Sequence, residues 1–150
     1  PYLLIVGSPA GDDGKLYLDE IKKQVSDTNM QDKIIFTGGV NHKQLTEKYN
    51  SGQIFINTSH TGSIDKAGLE AMASGLPIIA SPVNGIPYEM KEPENGFLVE
   101  YGDIKNLKKR ILQILDNKKL AKKISENNKL KAKNYDWDII YKKTMKLYLN

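Results

Sequence analysis

The sequence predicts an α/β protein built on an open, doubly wound parallel sheet, followed by C-terminal helices. Short apolar runs that read as buried strands alternate with segments whose apolar residues recur every three or four positions. Gly, Pro and Asn cluster between these segments. Beyond Val99 the pattern becomes wholly helical. Alternating strands and helices with buried strands imply a parallel sheet covered on both faces.

Each element follows in order. Tyr2–Val6 is a continuous apolar run closed by Gly7-Ser8-Pro9-Ala10-Gly11-Asp12-Asp13-Gly14, which reads as a loop. Lys15–Ser26 carries Leu18, Ile21 and Val25 on one helical face. Lys33–Thr37 is the second strand, ended by Gly38-Gly39, and His42–Asn50 is a short helix with Leu45 and Tyr49 one turn apart. Gln53–Asn57 is the third strand. Lys66–Ser74 is a helix with Gly75 in the stop position. Pro77–Ser81 is the fourth strand, with Pro at the first residue, where no ladder bond is lost. Pro82–Glu94 reads as a loop with a helical turn near Tyr88, and Gly96–Val99 as the fifth strand. Asp103 caps a helix whose face holds Ile104, Leu107, Ile111, Ile114 and Leu115. Lys118–Asn134 and Trp137–Leu149 are two further helices, with Trp137 a core or interdomain anchor.

Composition narrows the function classes. The 150 residues suffice for one domain with a real core. No apolar run approaches the roughly 20 residues that cross a bilayer. Pro1-Tyr2-Leu3-Leu4-Ile5-Val6-Gly7 is a short strand without a basic leader, so a reducing cytoplasm is the default expectation. Without cysteine there is no disulfide framework and no thiol nucleophile, and two histidines argue against a zinc site. The net charge of +4 hides a split: residues from Lys105 onward hold 14 basic and 4 acidic side chains. That tail is compatible with peripheral contact to anionic lipid, or with ordinary solvated helices. It is nearly all Lys, whereas nucleic-acid readers favour Arg forks, so no nucleic-acid partner is expected.

The stretch from Thr58 to Ser81 reads as strand end, Gly/Ser turn, helix with one glutamate, Gly stop and second strand. An open parallel sheet places its ligand there, beyond the carboxyl ends of strands and facing a helix start. Gly7-Ser8-Pro9-Ala10-Gly11 is neither a Walker loop nor a G-x-G-x-x-G turn. Asp12-Asp13 reads as loop solvation rather than a metal site.

These residues resemble the C-terminal half of retaining GT-B glycosyltransferases of family 4. Leu3-Leu4-Ile5-Val6-Gly7 looks like the family's "LLIVG" strand and turn, and Ile35-Phe36-Thr37-Gly38 like its "F-x-G" strand end. Leu45 through Ser59 resembles a helix and strand with Tyr four residues after Leu. Leu69–Ser81 is similar to "LEAMA-x-G-x-PVIAS". Asn84-Gly85-Ile86-Pro87, Glu94-Asn95-Gly96-Phe97-Leu98-Val99, Asp103 and Tyr135-Asp136-Trp137 resemble the pieces that follow.

The resemblance implies a Rossmann-like domain that holds most of a nucleoside-diphosphate sugar, in a cleft shared with an N-terminal acceptor domain of the same chain. It implies no cofactor and no required metal. Glu70 corresponds to the second glutamate of the family's E-x7-E motif, which grips the ribose hydroxyls. Ser63, Ile64, Asp65 and Lys66 lie where backbone amides meet the donor sugar and diphosphate. Gly38 and Val40 fall in the base-contacting loop, and Gly7 starts another loop facing the cleft. The first glutamate of the motif is replaced by Gly62, so Asp65 becomes the candidate acceptor for sugar hydroxyls and Lys66 a charge on the diphosphate. Gln53 stands where many members carry Asp, a departure that looks structural.

The resemblance also implies that residues 1–150 are a fragment. The family's Arg/Lys-bearing βα unit, whose strand is central in the doubly wound order 3-2-1-4-5-6, precedes "LLIVG". The fragment alone is expected to be inactive. No residue reads as a nucleophile or dedicated base, in keeping with front-face transfer assisted by the leaving phosphate. Two alternatives stay open: a non-catalytic sugar-nucleotide-binding module, and a GT-B-type UDP-sugar epimerase.

Overall fold

In the computed structural model, which describes residues 1–59, 66–83 and 90–149, every strand pair is parallel. The chain divides into two compact units, Pro1–Leu45 and Thr46–Asn150.

The first unit holds β1 (Leu3–Val6), α1 (Gly11–Asp27), β2 (Ile34–Gly38) and the start of α2 (His42–Ser51). Leu3 stands opposite Ile34 and Ile5 opposite Phe36, then the register slips so that Val6 faces Gly38. Helix α1 starts at Gly11, not at Lys15 as its apolar spacing predicts. Asp12 and Asp13 are therefore first-turn helix residues rather than a solvated loop. Carboxylates are favoured there by the helix dipole. Asp12 also pairs with Lys15 at 2.9 Å. Asn41 and Gln44 close a reciprocal cap on α2: Gln44 N–H donates to Asn41 Oδ1 at 2.9 Å and Asn41 N–H to Gln44 Oε1 at 3.0 Å.

The second unit begins within α2 and contains β3 (Phe55–Asn57), α3 (Lys66–Ala73), β4 (Ile78–Ala80) and β5 (Gly96–Leu98). It continues through α4 (Ile104–Asp116), α5 (Lys118–Ala132), a 3-10 turn (Lys133–Tyr135) and α6 (Trp137–Tyr148). Its strands run in the order β3-β4-β5. Side chains alternate between two faces, as a strand requires. Phe55, Ile78, Ala80 and Leu98 pack with Ala71, Met72 and Leu76 of the α3 region. Ile54, Ile56, Ile79, Phe97 and Val99 pack with Ile111 and Ile114 of α4 and Leu120 and Ile124 of α5. Both faces of this sheet are thus covered by helices, which is why its strands read as unbroken apolar runs.

Local chemistry sets the element ends. Helix α3 stops in a Schellman motif. Gly75, at φ +80°, donates to Met72 O at 2.8 Å, and Leu76 donates to Ala71 O at 2.9 Å. Asp103 caps α4 as its sequence position predicts, its Oδ1 accepting from Asn106 N–H at 3.0 Å. Asn117 caps α5 in the same way through Leu120 N–H at 2.9 Å. A buried polar clasp holds α5 to the sheet. Asn128 Nδ2 donates to Leu76 O at 2.7 Å and to Asn95 O at 3.0 Å, while its Oδ1 accepts from Asn95 Nδ2 at 2.8 Å.

Two expectations change at the C-terminal end. Helix α5 closes at Ala132, tightening into the 3-10 turn, instead of running to Asn134. Trp137 is 82% exposed, so it is not a core residue of the second unit. Among the described residues no helix is long and apolar enough to cross a membrane. The helical turn near Tyr88 and the Asn84-Gly85-Ile86-Pro87 piece lie outside the described residues.

Candidate functional site

Helix α3 carries the glutamate singled out by the sequence. Its phase is set from the C-terminal end, where the Gly75 stop and the burial of Ala71 and Met72 fix which side meets the core. Glu70 then falls on the flank of that buried face, half-buried rather than solvated. It sits in the second turn of α3, since the helix already includes Lys66. A first-turn dipole effect, the generic reason for a glutamate here, fades by that position.

What holds Glu70 is a phenol. Tyr49, in the last turns of α2, donates its hydroxyl to Glu70 Oε2 at 3.0 Å. The Tyr49 ring leans on Phe55 at 6.2 Å between centroids, tilted by 53°. Both rings pack against the cluster of Ala71, Met72, Leu76 and Ile78. The ring is thus anchored by apolar contact, and the hydroxyl is its polar tip. An ionised carboxylate offers about four acceptor positions, so one phenol leaves capacity for further hydroxyl donors.

Lys66 opens the described part of α3 and is exposed. It lies four residues before Glu70, on the same helix side. Among the described residues no ion pair joins the two. The Lys66 ammonium is thus not neutralised by that carboxylate. Nearby, at the carboxyl ends of β3 and β4, Ser81 N–H donates to Asn57 O at 2.9 Å. The Ser81 side chain is buried, and its hydroxyl meets no partner among the described residues. Gly62, Ser63, Ile64 and Asp65, with His60, lie outside the described residues.

In the first unit, Gly7 and Gly38 are brought together at the carboxyl ends of neighbouring strands. Gly7 N–H donates to Gly38 O at 3.0 Å, and the same oxygen accepts from Thr37 Oγ1 at 3.0 Å. Gly39 approaches the Ser8 side chain so closely that a Cβ there would stand 2.6 Å from its Oγ. The two strand-end loops are therefore packed on each other. Val40 is half-buried just beyond them. The carboxyl edge of a parallel sheet is where such folds bind ligands. Among the described residues no three His, Asp or Glu side chains converge as a metal site would need.

Sequence reasoning placed Glu70 and Lys66 on one helix but missed the partner of Glu70. Tyr49 read as an ordinary apolar-face residue one turn from Leu45. Its hydroxyl role depends on how α2 and α3 pack, which helical spacing alone does not reveal. Ser81 was visible only as the end of an apolar strand.

Comparison with known proteins converges on one family. The sequence model of the family described as Glycosyl transferases group 1 matches residues 1–131. Sulfoquinovosyl transferase SQD2 of Arabidopsis thaliana is 31% identical over 106 residues, covering 69% of this chain and 21% of that protein. A D-inositol 3-phosphate glycosyltransferase of Streptomyces scabiei is 24% identical over 144 residues, covering 96% and 32%. Among solved structures, sucrose-phosphate synthase from Thermosynechococcus elongatus superposes with a TM-score of 0.88 at 28% identity, over 97% of this chain and 37% of that one. Anabaena HepE, in complex with UDP, gives 0.85 at 20% identity, over 99% and 40%, a likeness of fold. The chain therefore spans from about a fifth to two fifths of the length of these relatives. A family match over most of its residues, an α/β architecture of parallel strands and helices, and GT-B structural neighbours agree: the chain belongs to the glycosyl transferases group 1 family.

Proposed function

We propose that this chain is the donor-binding half of a retaining glycosyltransferase of family 4. It holds a nucleoside-diphosphate sugar whose sugar passes to an acceptor hydroxyl in the synthesis of surface or lipid-linked glycans. The observation that carries the reading is Glu70: a half-buried carboxylate, steadied at 3.0 Å by Tyr49, on the helix that follows the β3 strand end. A carboxylate accepting from two vicinal ribose hydroxyls makes charge-assisted bonds and fixes the pentose in one orientation. Lys66 supplies positive charge to the diphosphate, with Asp65 as acceptor for sugar hydroxyls. Gly7, Gly38 and Val40 line the nucleotide side. As the sugar departs, the diphosphate gains negative charge, and cations or helix-start amides stabilise that state more than the ground state.

The acceptor site and the remaining diphosphate contacts belong to an N-terminal domain and a βα unit of the same longer protein. Residues 1–150 alone are then inactive. The protein works in the cytoplasm, and its Lys-rich tail suits the anionic face of a membrane. It needs neither metal nor cofactor.

HepE shares the fold and was solved with UDP, which makes UDP the first probe. A thermal-shift panel of UDP, GDP and ADP on the intact protein, followed by donor hydrolysis with wild type and Glu70→Ala, tests the reading. Slow hydrolysis or transfer that depends on Glu70 supports it. One observation favours a second reading, a non-catalytic sugar-nucleotide-binding module: Gly62 stands where the family's first glutamate belongs. Donor binding with no turnover by the intact protein would favour the module.

A further inference from the structure

Resting on the ribose-binding reading of Glu70, we infer that Tyr49 is a positioning residue for the donor's ribose, acting through Glu70. Three observations lead there. Tyr49 Oη donates to Glu70 Oε2 at 3.0 Å, across two helices far apart in sequence. The ring that carries the hydroxyl is fixed by Phe55 and by the cluster around Met72 and Leu76. Glu70 is half-buried, on a helix whose phase is locked by the Gly75 stop.

The physical consequence is pre-organisation. A glutamate side chain loses rotamer freedom when it is held in one conformation. Tyr49 imposes that order before the ligand arrives, so less is lost on binding. The phenol has one proton and gives it to Oε2, which leaves the other carboxylate oxygen to the ribose. Removing the hydroxyl frees the carboxylate to turn toward solvent, and the vicinal-diol contact weakens. A purely structural tyrosine would alter stability without altering how the protein tells ribose from deoxyribose.

The test uses the intact protein and whichever of UDP, GDP or ADP the wild type binds tightest, together with its 2′-deoxy form. Dissociation constants for both are measured by calorimetry for wild type, Tyr49→Phe, Glu70→Ala and the double variant. The ratio of the two constants cancels any loss of folded protein, because both ligands meet the same folded fraction. Wild type is expected to prefer the ribose form, Glu70→Ala to lose that preference, and Tyr49→Phe to reduce it about fivefold, as befits a charge-assisted bond. In the Glu70→Ala background Tyr49→Phe should change nothing further. If Tyr49→Phe keeps the preference within about twofold while Glu70→Ala abolishes it, the positioning role is overturned and the ribose reading stands. If Glu70→Ala keeps the preference, or no diphosphate binds the wild type, the ribose reading falls and the positioning role with it.

Discussion

Replacing Gly96 with alanine should strongly destabilise the second unit. Gly96 opens β5 at φ +146°, a backbone conformation that L side chains rarely adopt. A Cβ there would stand 1.8 Å from Ile78 O, 2.7 Å from Ile78 C and 2.8 Å from Ile78 N. All three are backbone atoms of the neighbouring strand, so no rotamer change relieves the clash. The conformational penalty is about 1–3 kcal/mol. Moving β5 away from β4 breaks the adjoining bonds, Ile78 N–H to Asn95 O at 3.3 Å and Val99 N–H to Ala80 O at 2.9 Å. Each is worth about 1 kcal/mol. The total of about 3–5 kcal/mol compares with about 5–15 kcal/mol of stability for a typical domain. Gly102→Ala is the matched control: φ is +81°, but nothing lies within 4 Å of the added carbon, so about 1–2 kcal/mol is lost. Urea unfolding of the intact protein, followed by near-ultraviolet circular dichroism, measures both. If Gly96→Ala unfolds at the same urea concentration as Gly102→Ala, the steric argument is wrong.

Three further outcomes follow from the same geometry. Asn128→Leu leaves Leu76 O and the Asn95 side chain without their buried partner, and should cost about 3 kcal/mol in urea unfolding; a loss under about 1 kcal/mol would mean that water replaces the clasp. Asp103→Ala removes the cap on α4 and should cost about 1 kcal/mol, with Asp103→Asn retaining most of it. Lys66→Ala should weaken UDP about fivefold while leaving uridine unchanged, the gap narrowing as salt is raised. Equal losses for UDP and uridine would place Lys66 away from the phosphates.

Much of this protein is legible in its sequence because the information is local. Strands of a parallel sheet read as apolar runs, so β1 through β5 were visible, though their ends moved by a residue or two and β1 and β2 are only partly buried. The stop at Gly75 and the cap at Asp103 rest on side-chain and backbone chemistry within a few positions. The start of α1 was misplaced because Gly11 and Gly14 look like turn residues, while the carboxylates that favour a helix start there look like loop residues too. The family resemblance rested on short segments whose order along the chain can be read without coordinates.

What only the tertiary structure decided is everything that joins distant segments. The Tyr49–Glu70 bond depends on the packing of α2 against α3, and the Asn128 clasp on the docking of α5 against β5. The need for glycine at position 96 depends on how close β4 runs, which no property of the β5 sequence states. Exposure of Trp137 likewise follows from what α6 meets, not from the residue type. Propensity and periodicity act over one or two turns of chain. Hydrogen bonds and close contacts between elements are fixed by the fold as a whole.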